Sequence, residues 1–341
     1  MSSSIQIMNE NPDVAPEPQE QAQPQASKRF RFRMRDWAPY LFISPFFILF
    51  LVFGVFPLVF SIYVSFHQWD PTSGLDGMKW IGLENYIYLI TKDDWFHKSL
   101  YNTSWIAIAS GLPQHLVALP LAFFLQTAFG RWRNTFVGIY FLPFITSTVA
   151  ISLVFTALFS REFGAINSLL HLGSQLPLLG GLFPAENIDW AQPQYSKTMI
   201  SFVVWWRYVG FNTVLYLSAM QTIPKDLYEA AIMDGATRWQ QFWHITLPML
   251  KPMIYFAVTL TIIGNLQLFE EPFVLTAASA GDGRMSGSGG IDQAGKTAAM
   301  HVFTTAFGES DFGTASAVAW LLFILIGLVT WANNRFFGRR D

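Results

Sequence analysis

WAPYLFISPFFILFLVFGVFPLVFSIYVSF, residues 37–66, runs for thirty residues without an Asp, Glu, Lys, Arg or His. About 20 apolar residues cross a hydrocarbon core, so this stretch spans one with length to spare. A secretory signal has an apolar region of about 7–15 residues and a small-residue cleavage site. Residues 37–66 are about twice that long and offer no such site, so they read as a retained first span. Directly before them stands a basic cluster, Lys28, Arg29, Arg31, Arg33 and Arg35. Residues 1–27 are rich in Pro, Gln and Glu and cannot bury enough apolar surface to offset their ordering entropy. Residues 1–35 are therefore expected to be a disordered tail ending in the basic cluster, and 36–341 a single membrane domain.

Composition agrees. Of 341 residues, 52% are hydrophobic and 13% charged, where a soluble domain carries roughly 25% charged residues. A net charge of −2 leaves no global basic field for nucleic acid. The absence of cysteine removes disulfides, thiolate metal sites and cysteine nucleophiles together. Five further apolar runs lie near 102–129, 136–159, 199–221, 253–278 and 312–331. With the N-terminus inside, thirteen Lys and Arg fall on the cytoplasmic side and seven outside. That bias puts both termini in the cytoplasm. The fold expected is all-α and polytopic, with six transmembrane helices.

Between the fourth and fifth runs lies IPKDLYEAAIMDGATRWQQFWHITLPMLKP, residues 223–252. It reads as two short helices and a turn. Pro224 suits a first helical position, Gly235 a residue at positive φ ending the first helix, and Thr237 with Gln240 a capping box. Trp239, Phe242, Trp243 and Thr246 fall at i, i+3, i+4 and i+7, a stripe suited to resting on the membrane domain.

Glu229-Ala230-Ala231, Asp234-Gly235-Ala236, then Phe242, Ile245, Leu247 and Pro248 resemble the EAA motif of binding-protein-dependent ABC transporter permeases. WIGLENY (80–86), LYNTSW (100–105), FLPF (141–144), FGAINSLL (163–170), LFEEPFVLT (268–276) and DFGTASAV (311–318) extend the resemblance over almost everything after residue 36. They are similar to sugar-type permeases, such as the larger permease of the maltose transporter and its glycerol-3-phosphate, lactose and arabinose counterparts. The resemblance implies a type I importer permease fold in which about residues 224–248 form a coupling helix seated in a cleft of a cytoplasmic ATPase. Glu229, Ala230, Ala231, Asp234, Gly235, Ala236 and Phe242 are then the ATPase-coupling residues. It also implies a second homologous permease, two ABC ATPase subunits and an extracytoplasmic sugar-binding protein as partners. By the same resemblance the chain is expected to sit in the bacterial inner membrane and to be no enzyme itself. No cofactor or metal of its own is expected, ATP and Mg being used by the partner ATPases. One departure stands out: such permeases usually read Gly-Gly-Pro after Leu275-Thr276, whereas this chain has Ala277-Ala278-Ser279 and a longer Gly-rich loop.

Within that loop, GIDQAGKT (290–297) satisfies the Walker A spelling. A phosphate loop needs a buried strand before it and a helix after it, while the preceding GDGRMSGSGG and the outer location suit a flexible connector.

By alignment to the maltose-type permease, substrate-lining positions fall on Phe144 and Thr148 in span three. In span four they fall on Tyr208 and Phe211, and in span five on Thr261, Asn265 and Leu268. Asn212, adjacent and polar, is added from its position. Aromatic faces with amides and hydroxyls suit a sugar; ordinary helix packing is the competing reading for each aromatic. Polar groups within spans are expensive and mark pathways. Arg207 lies about 24 Å above Ile223 and Glu270 about 27 Å above Pro252 at 1.5 Å per residue. Arg207 is therefore expected to pair with Glu270 or Glu271, the alternative being separate snorkelling. Asn102, Gln114 and His115 suit interhelical hydrogen bonds. Two rival functions stay open: an ion-coupled secondary transporter acting alone, and a structural or sensory membrane protein.

Overall fold

The computed structural model describes residues 34–128, 132–176, 180–184, 186–277 and 289–337. Residues 1–33 of the expected 1–35 tail, Arg131, the Gly-rich residues 278–288 and the C-terminal Arg339 and Arg340 lie outside the described residues, whereas Met34 and Arg35 open the first helix. The chain divides into two compact units at Val55. The first carries α1 (Met34–Phe50), which tolerates Pro39 and Pro45, and a π turn over Leu51–Val55.

In the second unit α2 (Phe56–Ser65) leads to a two-residue antiparallel ladder, β1 (His67–Gln68) on β2 (Lys79–Trp80), with His67 opposite Trp80. Then follow α3 (Glu84–Thr91), α4 (Asp94–Ala128), α5 (Arg133–Ile145), α6 (Thr148–Leu158), α7 (Ala165–Ser174) and α8 (Pro193–Met220). The loop contributes α9 (Lys225–Met233), α10 (Arg238–Gln241) and α11 (Leu247–Met249). The chain closes with α12 (Lys251–Leu266), α13 (Glu270–Ala277), α14 (Ala298–Phe303) and α15 (Phe312–Phe337).

Three described helices are long and apolar enough to cross a membrane: Pro39–Ser65, Asp94–Thr127 and Phe312–Arg335. Two bent pairs raise the number to five, α5 with α6 at 95° and Arg238–Met249 with α12 at 71°. The fourth of the six expected spans corresponds to α8. Its 28 residues exceed the length needed, but Arg207, Asn212, Thr213 and the serines make it too polar to pass on composition. Its burial supplies the reason. Ile200, Val203, Val204, Tyr216 and Met220 are fully or almost fully enclosed, so α8 meets protein more than lipid.

Spans three and five are not straight helices. After Pro143 removes a donor, α5 ends at Ile145; Thr146, with an extended ψ of 150°, caps it, and Ser147 starts a new direction. In span five, residues 267–269 interrupt the helix between α12 and α13, so the expected continuous run over 253–278 is corrected.

α4 and α8 share the most extensive contact, and polar pairs set their register. Asn212 Nδ2 donates to Gln114 Oε1 at 3.2 Å, and His115 Nδ1 lies 2.7 Å from Tyr216 Oη. On the other flank α5 approaches α8 at Gly210, where an added Cβ would fall 1.7 Å from the Tyr140 carbonyl oxygen. Only glycine allows that approach. One core cluster joins Ala118, Phe123, Tyr216, Met220, Phe242 and Leu250; a second joins Ile106, Ile151, Phe155, Ile200, Val204, Leu268 and Leu275.

Candidate functional site

The loop after α8 folds much as its local signals dictate. Gly235 has φ +78°, and the N–H groups of Asp234, Gly235 and Ala236 close the end of α9 on Ala230, Ile232 and Ala231 carbonyls. Thr237 and Gln240 form the capping box: the Gln240 N–H donates to Thr237 Oγ1 at 3.3 Å, and the Thr237 N–H to Gln240 Oε1 at 2.7 Å. Pro224 differs by one position. It is the N-cap of α9, with ψ 132°, and Lys225 is the first helical residue.

The aromatic stripe splits. Phe242–Thr246 is a π turn, whose wider winding moves successive buried positions to Phe242, Thr246 and Leu250. Phe242 packs against Phe123 of α4 at 5.2 Å between ring centroids. Trp239 and Trp243 remain 62% and 46% exposed. Sequence reasoning misses a second tie, Tyr228 Oη to Thr246 Oγ1 at 2.8 Å, which seats α9 on the π turn. Glu229, Ala230, Asp234 and Gly235 are exposed, with Ala231 and Ala236 half-buried. Ile232 and Met233 are also exposed, so this corner presents apolar surface and a carboxylate to the outside.

The pathway residues divide into two groups. Phe144 of α5 stacks on Phe211 of α8 with centroids 4.4 Å apart, and Tyr208 makes a T-shaped contact with Phe144 at 5.8 Å. Beside them Arg207 Nη1 lies 2.6 Å from Glu271 Oε1, both residues buried, while Glu270 is exposed. Arg207 also reaches the Tyr208 hydroxyl at 3.4 Å, joining the ion pair to the aromatic cluster. Thr148 opens α6 after the bend, and Leu268 packs in the cluster that includes Tyr208. Asn212, Thr261 and Asn265 instead face α4. Asn212 is engaged by Gln114; Asn265 Nδ2 donates to Ser110 Oγ at 3.0 Å, and both Thr261 and Asn265 crowd Gly111. The amides of Asn212 and Asn265 join helices, and Thr261 turns its methyl toward Gly111.

The described part of the Gly-rich loop, 289–297, is not a flexible connector. Asn102 Nδ2 donates to the carbonyls of Gln293 and Lys296, and Lys98 Nζ pairs with Asp292 Oδ2 at 2.7 Å. Thr297 Oγ1 donates to the Leu268 carbonyl at 2.7 Å, in the interruption between α12 and α13. Asp292 and Gln293 adopt positive φ in this turn. Lys296 is buried, not presented to a phosphate, and the only described strands are β1 and β2. His301 Nε2 lies 3.2 Å from Asp93 Oδ2. Burial, then the nearby Lys296 charge, push the His301 pKa below its usual value, only partly offset by Asp93. The ring is therefore neutral at neutral pH and donates from Nε2. Burial likewise lowers the Lys296 pKa. Among the described residues no cluster of His, Asp and Glu is arranged to hold a metal.

A family model described as "Binding-protein-dependent transport system inner membrane component" matches residues 105–340. The probable ABC transporter permease protein YurN of Bacillus subtilis (strain 168) is 32% identical over 300 residues, covering 88% of this chain and 95% of YurN. The arabinooligosaccharides transport system permease protein AraP of the same organism is 32% identical over 292 residues, 85% of each chain. A chain of a crystal structure of a bacterial ABC transporter involved in the import of the acidic polysaccharide alginate superposes with a TM-score of 0.72. It covers 90% of this chain and 96% of its own, at 21% identity, a likeness of fold. The family match begins in α4 and runs through every later helix, taking in the capped loop and the Arg207–Glu271 pair. On these grounds the chain belongs to the inner-membrane components of binding-protein-dependent transport systems.

Proposed function

We propose that this chain is the permease subunit of an ATP-driven importer, passing a carbohydrate released by an extracytoplasmic binding protein through the membrane. It carries no catalytic constellation of its own in this reading. Two ABC ATPase subunits hydrolyse ATP, and a second permease completes the passage. One chain has one coupling loop, while an ATPase dimer presents two clefts. The membrane location follows from the family and the apolar helices; termini in the cytoplasm are the orientation the Lys and Arg bias favours.

The observation that carries the coupling role is the rigid corner at Gly235. A short helix, a positive-φ turn and a capped second helix hold Glu229, Ile232 and Met233 outward. The corner is anchored to α4 through Phe242 and Phe123. A force applied to α9 thus reaches the spans through packed side chains. The Phe144–Phe211 stack, closed at 4.4 Å, leaves no room for a sugar ring between the two faces. Admission of substrate there requires α5 and α8 to part. The AraP relative, named for arabinooligosaccharides, supports a carbohydrate as cargo.

The test uses the chain reconstituted with its partner permease, ATPases and binding protein. Glu229→Lys and Gly235→Asp abolish substrate-stimulated ATP hydrolysis and uptake while the chain still inserts. Normal uptake by either variant refutes the assignment. Uptake driven by an ion gradient without any ATPase would favour the secondary-transporter reading.

A further inference from the structure

At the end of the bundle where α4, α5, α8 and α9 converge, the protein holds a cavity of about 320 Å³. Two cations line it: Arg133, the first residue of α5, and Lys225, the first residue of α9. Gln126 of α4, Gln221 just past α8 and Tyr228 add amide and hydroxyl groups, over a base that includes buried Met220 and Ile223. No carboxylate is in the lining. Arg133 gives one donor to Gln126 Oε1 at 3.2 Å, leaving most of its guanidinium fork uncommitted. Neither Arg133 nor Lys225 has an acidic partner within 4.0 Å among the described residues. Asp226, next to Lys225, is exposed and outside the lining.

Two basic side chains around a small polar cavity attract an anion, and a guanidinium fork with amide donors matches phosphate oxygens. The neighbourhood decides the source. Trp132, beside Arg133, is 63% exposed, and tryptophan gathers at the membrane–water interface. That places the cavity at headgroup level. Basic pockets between membrane helices on the cytoplasmic side take up anionic headgroups. We propose that this cavity binds the phosphate of an anionic phospholipid headgroup, tying the first turn of α9 to the ends of α4 and α5. The cytoplasmic placement rests on the reading given under the proposed function; the binding itself does not require transport.

The full-length chain is purified in detergent and exposed to phosphatidylglycerol or phosphatidylcholine, and retained lipid is read by native mass spectrometry. At about fivefold per basic residue, R133Q/K225Q lowers phosphatidylglycerol retention about thirty-fold and leaves phosphatidylcholine unchanged. R238Q/K251Q removes two other cations from the same side and retains wild-type selectivity. If the first double variant aggregates, R133Q and K225Q are read singly, each about fivefold down. Equal phosphatidylglycerol retention by wild type and the cavity variants overturns the proposal. Displacement of the lipid by millimolar inorganic phosphate overturns the lipid source and assigns the cavity to a soluble phosphate. Because no ATPase or substrate is present, neither outcome is confused with failure of the importer reading.

Discussion

Gly210 is the position where a single methyl group tests the packing most sharply. Gly210→Ala adds a Cβ that would lie 1.7 Å from the Tyr140 carbonyl oxygen, whereas real Cβ contacts stay above 3.0 Å. The obstacle is backbone and cannot rotate away, so α5 and α8 must separate by at least about 1.3 Å. Forced overpacking costs about 1–3 kcal/mol. The same movement pulls Phe144, one turn beyond Tyr140, off Phe211, forfeiting about 0.5–1.5 kcal/mol of aromatic pairing. Alanine returns about 1 kcal/mol through helix propensity, so a net loss of about 0.5–3.5 kcal/mol is expected. The assay is unfolding of the purified chain in mixed micelles with increasing dodecyl sulfate, followed by tryptophan fluorescence. Gly138→Ala serves as the control: it lies on the same α5 helix with nothing within 4 Å of an added Cβ. It is expected to be neutral or stabilising by up to about 1 kcal/mol. A Gly210→Ala protein as stable as Gly138→Ala refutes the close approach of α5 to α8.

Removing one member of the Arg207–Glu271 pair, as in Glu271→Gln, leaves a buried charge and costs about 3–5 kcal/mol. Replacing both by Met costs less than either single change, and a double-mutant cycle with coupling under about 0.5 kcal/mol refutes the pair. At His301 the folded state disfavours the charged ring, so the unfolded chain binds the extra proton as pH falls through 6.5. Stability declines below that pH by at most about 1.4 kcal/mol per unit, and His301→Gln removes that slope. Parallel stability–pH curves for the two proteins contradict the assignment.

Signals contained within one turn of chain are legible from sequence. The left-handed Gly235 and the Thr237–Gln240 box depend on neighbours three residues away, and both appear as read. The π turn at Phe242 depends on how α4 receives that ring, which no local spacing encodes, so the i, i+3, i+4, i+7 stripe misplaces Trp239 and Trp243. Hydropathy counts apolar residues but not chain direction. It therefore hides the 95° bend after Ile145 and the interruption at 267–269. The depth arithmetic, made for Glu270, brings Arg207 to within one residue of its partner Glu271, although the interruption means that α13 does not continue the line on which the second distance was reckoned. For Asn212 and Asn265 the deciding partner lies on α4, about 100 and 155 residues away in sequence. Polarity alone cannot tell an amide that meets a solute from one that ties two helices.

The hydrogen bond from Thr297 to the Leu268 carbonyl has a further consequence. A helix that stops within a membrane leaves acceptors that lipid cannot satisfy. Gln267 N–H turns back to Gly264, and the Leu268 oxygen is met by a hydroxyl 29 residues later in the chain. The fifth span is thus chemically incomplete without the segment that follows α13. Exchanging residues 289–297 for another sequence, as one exchanges a surface loop, is in effect a mutation of the membrane helix itself.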